Sequence, residues 1–373
     1  MAGAVTLWRL ITDDGVGAAD GLAADEALML HYATDAAPPC EATLRLYTYR
    51  PHCALVGRYQ SLEAELDTHA CARLEIEIGR RPTGGGAIIM GPQQLGVAIT
   101  TRAPAGIGVR DLMQEYGGGI LHGLASLGVG ARFRGKNDLE VGGRKIAGLG
   151  IHADDAGGLL FHGSVLAGLD VALMLEVLQI PGAKLAGKGI ARVDERLTTV
   201  SRELGREVDG ADVREAIAEG FRSTLGIELA GSRLDEQESA RARVLAARYA
   251  SQEWLAGRQV DGEAGGVAML GTPSGLIRVY AGVQGTTLSS VMLAGDYSAP
   301  PPSLLGLEAA LRWCRADRAR IFELTRRELR DGELGVGAEK VAAAIWEAAQ
   351  AALGTALPAA SAPEREARGD VRA

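Results

Sequence analysis

One stretch limits what this chain can fold into: Arg80-Arg81-Pro82-Thr83-Gly84-Gly85-Gly86-Ala87-Ile88-Ile89. Three consecutive glycines lack Cβ atoms, so backbone N–H groups can approach a bulky anion closely and φ > 0 is open to them. The run before them, Leu74-Glu75-Ile76-Glu77-Ile78, alternates apolar and charged residues and predicts a half-buried strand. Guanidinium is the side chain suited to gripping phosphate or carboxylate, and two precede the triplet. Strand, arginine pair, glycines and a second apolar run predict an anion-binding corner in a sheet. A flexible hairpin turn fits the same residues.

On either side of this corner the pattern keeps changing. Residues 21–32 read as a helix with Asp20 as N-cap, and residues 109–127 as another, loosened by Gly117, Gly118 and Gly119. Strands are predicted at 43–47, 54–60, 95–100 and 159–166. Residues 138–141 and 144–148 form a hairpin about Gly142-Gly143, a pair suited to a type I′ loop. Further helices are predicted at 171–178, 210–224 and 234–247. Strands mixed with helices in no regular βαβ rhythm predict an α/β chain of the α+β type, a mostly antiparallel sheet with flanking helices. After residue 265 short strands at 276–280 and 289–293 precede helices at 303–314 and 338–352. With 373 residues, two domains are expected, 1–245 and a small α+β unit at 260–353. The tail 358–373 has no apolar face and reads as disordered.

The net charge of −8 argues against nucleic-acid binding. No run of 18 apolar residues predicts a membrane span, and no signal peptide is legible. The four cysteines, Cys40, Cys53, Cys71 and Cys314, are widely spaced, which fits neither a disulfide framework nor a zinc site and suits a cytoplasmic setting.

Lys145 follows the tight turn among small and apolar neighbours, where it can aim a fixed charge at a carboxylate or phosphate; a snorkelling surface lysine is the plainer reading. Asp138 could hold a metal ion or a ribose hydroxyl and Asn137 an amide or base edge, although an Asx turn gives the same pattern. His162, between Phe161 and Gly163, reads first as a satisfied core histidine. Lys188, in a Gly-Lys-Gly after Lys184, could wrap a phosphate or sit in a solvated loop. Neither a Walker A nor a Rossmann fingerprint is present.

Taken in order, these segments resemble the lipoate–protein ligase family of the biotin/lipoate attachment superfamily. They are the glycine stretch, Lys136-Asn137-Asp138-Leu139, Arg144-Lys145-Ile146-Ala147-Gly148, Phe161-His162-Gly163-Ser164, Lys188-Gly189-Ile190 and Leu197-Thr198-Thr199-Val200, with Gly57-Arg58-Tyr59-Gln60 upstream. The resemblance covers residues 5–225, and 265–330 resembles the accessory domain that follows in many such ligases. It implies a ligase-like catalytic domain and an enzyme that activates lipoate or octanoate with ATP and Mg2+ as an acyl-adenylate. The acyl group then passes to a lysine of a lipoyl carrier: a glycine-cleavage H-like protein, a 2-oxoacid dehydrogenase E2-like domain or a specialised lipoate-binding protein. No nucleic acid or membrane partner is implied. Lys145 matches the family's lysine that contacts the acyl carboxylate and the α-phosphate. Arg81, Gly84, Gly85, Gly86, Ala87, Asn137, Asp138, Gly148, His162 and Lys188 match positions along the adenylate, and no metal ligand is assigned beyond a possible role for Asp138. The sequence departs where the family carries an aromatic, His-Asp and Gly-Asn: it has Ile89, Met90, Gly91, Pro92, Gln93 and Gln94.

Three other activities share parts of this pattern. Octanoyl transfer without ATP uses a cysteine thiolate. In one class it lies three residues before the histidine matching His162, where this chain has Leu159; in the other it lies upstream of Asp138-Leu139. No cysteine occurs between Cys71 and Cys314. A biotin ligase would carry a Gly-Arg-Gly-Arg loop, which is absent. A non-catalytic scaffold that binds lipoyl domains is favoured by the missing His-Asp and disfavoured by Lys145.

Overall fold

The computed structural model describes residues 6–33, 40–135, 137–180, 195–208, 210–259, 265–273, 275–297 and 299–356. The chain divides into two compact units. One is Met1–Arg258 with Gly295–Ala299, and the other is Gln259–Ala294 with Pro300–Ala373.

The first unit holds β1 (Thr6–Val16), β2 (Ala42–Tyr49), β3 (Cys53–Val56), β4 (Glu77–Arg80), β5 (Ile88–Met90), β6 (Gln94–Arg102), β7 (Arg132–Arg134), β8 (Asp138–Val141), β9 (Arg144–Ala153), β10 (Gly158–Leu166) and β11 (Ile227–Ser232). Eight of them make one sheet in the order β11-β1-β2-β6-β10-β9-β8-β7. It is parallel at β11-β1-β2 and antiparallel from β2 to β7. This is the mixed α/β architecture with a mostly antiparallel sheet that the sequence predicts.

Alternation decides which face each residue serves. Leu44 and Leu46 of β2, Leu95, Val97 and Ile99 of β6, and Leu159, Phe161 and Val165 of β10 enter one apolar core. The helices Val109–Ser126 and Gly210–Leu225 cover that face, with Leu112, Ile120 and Leu124 meeting Val213, Ile217 and Phe221. Of the glycines read as loosening the first of these helices, Gly118 and Gly119 face the second, where a Cβ would lie 3.4 Å from Thr224 and 2.3 Å from Phe221, while Gly117 faces Phe133. Gly123, a turn further on, also meets the second helix, where a Cβ would lie 2.5 Å from the Ala216 carbonyl oxygen.

The helix Ala18–Ala33 covers part of the opposite face. It starts before the predicted Asp20 cap, because the Glu77 carboxylate accepts the Ala18 N–H at 2.5 Å. β2 is buried along its whole length, although its sequence alternates. Its polar positions are satisfied from above: Arg45 donates to Asp25 and Asp13, each at 2.7 Å.

The remaining three strands form a small sheet, β4-β3-β5. β4 runs parallel to β3 and β5 antiparallel to it, on opposite sides. The glycine triplet therefore is not a hairpin turn; it carries the chain across the end of β3. The predicted strand at 74–78 starts late. Leu74 caps the helix Thr68–Arg73 and Glu75 takes φ 53, so pairing begins at Glu77.

The second unit has the sheet β12-β13-β14, formed by Gly266–Thr272, Gly275–Gln284 and Thr287–Gly295, and the helices Ser303–Leu311, Arg318–Glu328 and Ala338–Ala356. The strands predicted near 276–293 pair among themselves, not with the large sheet. Arg318–Glu328 is unforeseen: its apolar residues Ile321, Phe322 and Leu324 are outnumbered by charge. No helix among the described residues is long and apolar enough to cross a membrane. The tail 358–373 lies outside the described residues.

Candidate active site

The register places Tyr47, Gly96, Ser164, Gly148 and Asp138 on one row across five strands. Two residues along, Arg45, Ala98, His162 and Gly150 make the neighbouring row on the same face. Small residues alternate with large ones, so the rows form a trough. Tyr47 leans over Gly96, where a Cβ would lie 2.7 Å from its ring. The His162 ring occupies the space over Gly150, and the Lys145 ammonium that over Gly148, 2.8 Å from where a Cβ would stand.

A β-bulge aims Lys145 into this trough. Asp138 pairs with Gly148 and Leu139 with Ala147, but Glu140 pairs with Lys145, so Ile146 is an extra residue. Ile146 turns into the core and Lys145 shares the face of Gly148. Its backbone is fixed by Lys145 N–H to the Arg196 carbonyl at 2.8 Å and Thr198 N–H to the Lys145 carbonyl at 2.9 Å. Nζ pairs with Asp138 Oδ1 at 2.7 Å, both side chains being 35% exposed. Lys145 is thus not the snorkelling lysine of the plainer reading.

Arg80 and Arg81, read together as a grip for an anion, part company. Arg80 turns inward and donates to the carbonyls of Gly57, Arg58, Gln60, Leu255 and Ala256. Arg81 lines the pocket and shapes the triplet, donating to the carbonyls of Leu55 at 2.7 Å, Gly86 at 2.8 Å and Gly84 at 3.4 Å. Burial pushes its pKa down to about 10. It has no carboxylate within ion-pairing distance among the described residues.

The triplet passes directly over Gly57, whose Cβ would stand 2.1 Å from the Gly85 carbonyl oxygen. Gly85 takes φ 92, a conformation that favours glycine. Thr83 ties the loop to the sheet through its hydroxyl and His162 Nε2, 2.9 Å apart. Burial, with Arg81 and then His152 nearby, pulls His162 down to about 3, so the ring is neutral at physiological pH.

Arg81, Gly84, Gly85, Gly86, Asn137, Lys145, Gly148 and His162 thus line one pocket, together with Ser164 and an apolar end of Leu22, Tyr47, Tyr49, Leu55, Ile88 and Met90. Ala87 and Asp138 lie instead on a second pocket with Arg134, Met174, Leu178, Ile180, Arg196 and Leu197, and Lys145 belongs to both. Tyr47, Tyr49 and Ser164 are not among the site residues named from the sequence. Ser164 was within reach of it, since it shares the His162 face by the period of two. Lys184 and Lys188 lie outside the described residues.

None of the four cysteines lines either pocket. Cys53 and Cys71 are buried, which pushes both thiols up. Among the described residues, His31, Asp235 and Glu238 form a group with metal-ligand spacing. That group is occupied with other work: Glu238 pairs with Arg9 at 2.6 Å and closes a capping box with Asp235.

Residues 18–222 match the family model of the lipoyl protein ligase A/B catalytic domain. The octanoyltransferase LipM of Symbiobacterium thermophilum is 32% identical over 275 residues, covering 67% of this chain and 98% of its own. A bipartite lipoate protein ligase from Thermoplasma acidophilum, described with its E2 lipoyl domain, is 26% identical with a TM-score of 0.60 over 68% of this chain and 98% of its own. The fold extends further in Plasmodium falciparum LipL1, solved with lipoate, at 13% identity and a TM-score of 0.65 over 86% of this chain and 94% of that one.

Proposed function

The chain belongs to the lipoyl protein ligase A/B catalytic family, and from that premise we propose that it attaches lipoate or octanoate to a lysine of a lipoyl carrier domain, after activating the acid with MgATP as an acyl-adenylate. The observation that carries this reading is a pocket lined by Arg81 and Lys145 and by no thiol. Transfer through an acyl-enzyme thioester would need an enzyme thiolate at the acyl carbon. Cys53 and Cys71 are buried with raised pKa, and Cys40 and Cys314 lie outside both pockets.

An acyl-adenylate needs no enzyme nucleophile. It needs positive charge where a carboxylate oxygen attacks the α-phosphorus and pyrophosphate leaves. Lys145 stands where the two pockets meet, and its charge would stabilise that built up on the non-bridging oxygens. The apolar end with Tyr47 and Tyr49 takes the acyl chain. Arg81, Gly84, Gly85, Gly86, Ala87, Asn137, Gly148 and His162 would contact the adenylate, and the family resemblance gives Lys188 the same role. Asp138, beside Lys145 Nζ, would face the Mg2+ that accompanies the phosphates. His162 is too weak a base to deprotonate the carrier amine. Residues 1–245 carry this chemistry, with 260–353 as an accessory domain.

A second reading is ATP-independent acyl transfer, favoured by the relatives named octanoyltransferase. ATP–pyrophosphate exchange separates the two. Exchange that depends on lipoate or octanoate is expected. Absence of exchange, with acyl transfer from an octanoyl thioester to an apo lipoyl domain, would establish the second reading. Absence of both, with lipoyl-domain binding retained, would leave a scaffold. The lipoyl domain as partner is supported by the Thermoplasma relative, described with an E2 lipoyl domain; an H-like protein, an E2-like domain and a specialised lipoate-binding protein each present such a domain.

A further inference from the structure

The glycine triplet is held from one side by Arg81 and from the other by residues 295–297, far away in sequence. Gly295 N–H donates to the Tyr59 carbonyl at 2.9 Å, and the Tyr297 carbonyl accepts the Gly85 N–H at 3.4 Å. The rings of Tyr59 and Tyr297 lie 5.4 Å apart. Between these contacts Asp296, 7% exposed, points inward. Its Oδ1 accepts from Gln60 Nε2 at 2.8 Å, while Gln60 Oε1 accepts the Gly57 N–H, also at 2.8 Å. Gln60 is 2% exposed, so neither bond has water in competition.

The geometry beneath makes this pair consequential. Gly57 is the residue on which the triplet rests, and the Asp296 carboxylate lies 3.8 Å from where a Gly86 Cβ would stand. Moving Gln60 moves Gly57, and moving Asp296 opens space beside Gly86. A glycine loop has no side chains to define its path, so its neighbours must define it.

We propose that Asp296 and Gln60 are a positioning pair: they fix the path of residues 84–86 and so the geometry with which the pocket receives the acid to be activated. The kinetic part of this inference rests on the acyl-activating reading above. The structural part does not. Asp296 also stands among the charges that oppose the burial-driven fall of the Arg81 pKa, so its charge and its hydrogen bond have to be told apart.

Asp296→Asn keeps an oxygen that can accept from Gln60 and removes the charge; Asp296→Ala removes both. Amide hydrogen exchange across residues 83–87 is read by mass spectrometry on the full chain, with octanoate KM and kcat from pyrophosphate exchange alongside. For Asp296→Ala, faster loop exchange and a rise in KM of about tenfold or more are expected, with kcat changed less than about threefold. Asp296→Asn should return both to within about threefold of wild type. Should Asp296→Ala not fold, Gln60→Leu keeps the volume, removes both bonds and should show the same two effects. Wild-type exchange and KM in the alanine variant would overturn the proposal. So would an asparagine variant as impaired in KM as alanine while its loop exchanges normally, because charge and not position would then be the cause. A wild-type chain with no pyrophosphate exchange would count against the acyl-activating reading alone, and the loop exchange would still decide the positioning role.

Discussion

Lys145 and His162 face the same trough, and their surroundings give them opposite electrostatic characters. Lys145 Nζ lies 2.7 Å from Asp138 Oδ1. Lys145→Ala is expected to cost about 3–4 kcal/mol of transition-state stabilisation, on the order of 10²–10³ in rate, measured as lipoyl transfer to an apo carrier domain. Stability should change little, since an ion pair this exposed contributes about 0–1 kcal/mol. Lys145→Arg should rescue little, because a planar fork needs more room than the ammonium has over Gly148. A folded Lys145→Ala protein that adenylates at the wild-type rate would remove Lys145 from the chemistry. His162 is held neutral, with a pKa of about 3 against an unfolded value near 6.5. Between those pH values the unfolded chain binds the extra proton, so stability falls as pH drops below about 6.5. His162→Gln can still bond Thr83 and should flatten that fall, seen as a smaller loss in denaturant midpoint from pH 7 to pH 5. An unchanged slope would mean that other groups dominate. Replacing all four cysteines with alanine should leave acyl transfer intact; loss of transfer in a folded variant would favour a thioester route.

At the level of elements, the crossing of β3 by the glycine triplet governs the site. Gly57→Ala would set a Cβ 2.1 Å from the Gly85 carbonyl oxygen, with backbone on both sides and no flexible atom to give way. The loop must shift, and activity should fall by about tenfold or more through KM, read by pyrophosphate exchange. Gly142→Ala is the contrast. Its φ is 56 with nothing within 4 Å, so about 1 kcal/mol of backbone strain is expected and no loss of activity. Equal effects of the two would show that the crossing has no special hold on the site. Much of the large sheet was legible because β2 alternates, β6 and β10 read as apolar runs, and Gly142-Gly143 marks the hairpin of β8 and β9. The crossing was not: two short apolar runs joined by glycines look alike whether they pair with each other or with a third strand. The bulge at Ile146 was hidden for a similar reason, since only the partner strand reveals an extra residue. Arg80 and Arg81 read as equals, and only the carbonyls around Arg80 set them apart. Asp296 had no sequence signal linking it to residues so distant.

Across the whole molecule, the first unit is discontinuous in sequence. Every strand of its large sheet lies at or before Ser232, and the carbonyls that satisfy Arg80 end at Ala256. Only Gly295–Ala299 come from beyond Arg258. A chain ending at Arg258 therefore retains every residue of the trough, the bulge and the cage around Arg80. It loses the Tyr297 carbonyl over Gly85 and the Asp296 carboxylate beside Gln60. The truncated chain is expected to keep the far-ultraviolet dichroism of the folded sheet. Its octanoate KM should rise by about tenfold, the scale of a misplaced loop and not of a lost catalytic group. Lys145 and Arg81 remain, so kcat at saturating acid should stay within about threefold. Adding residues 259–373 as a separate chain should lower KM again, because the same five residues can then return to the loop. Asp296→Ala in the added chain should cancel that recovery. Wild-type KM in the truncated chain would show that Arg81 alone holds the triplet. Failure to fold would show instead that the sheet depends on the later chain, although all of its strands precede it.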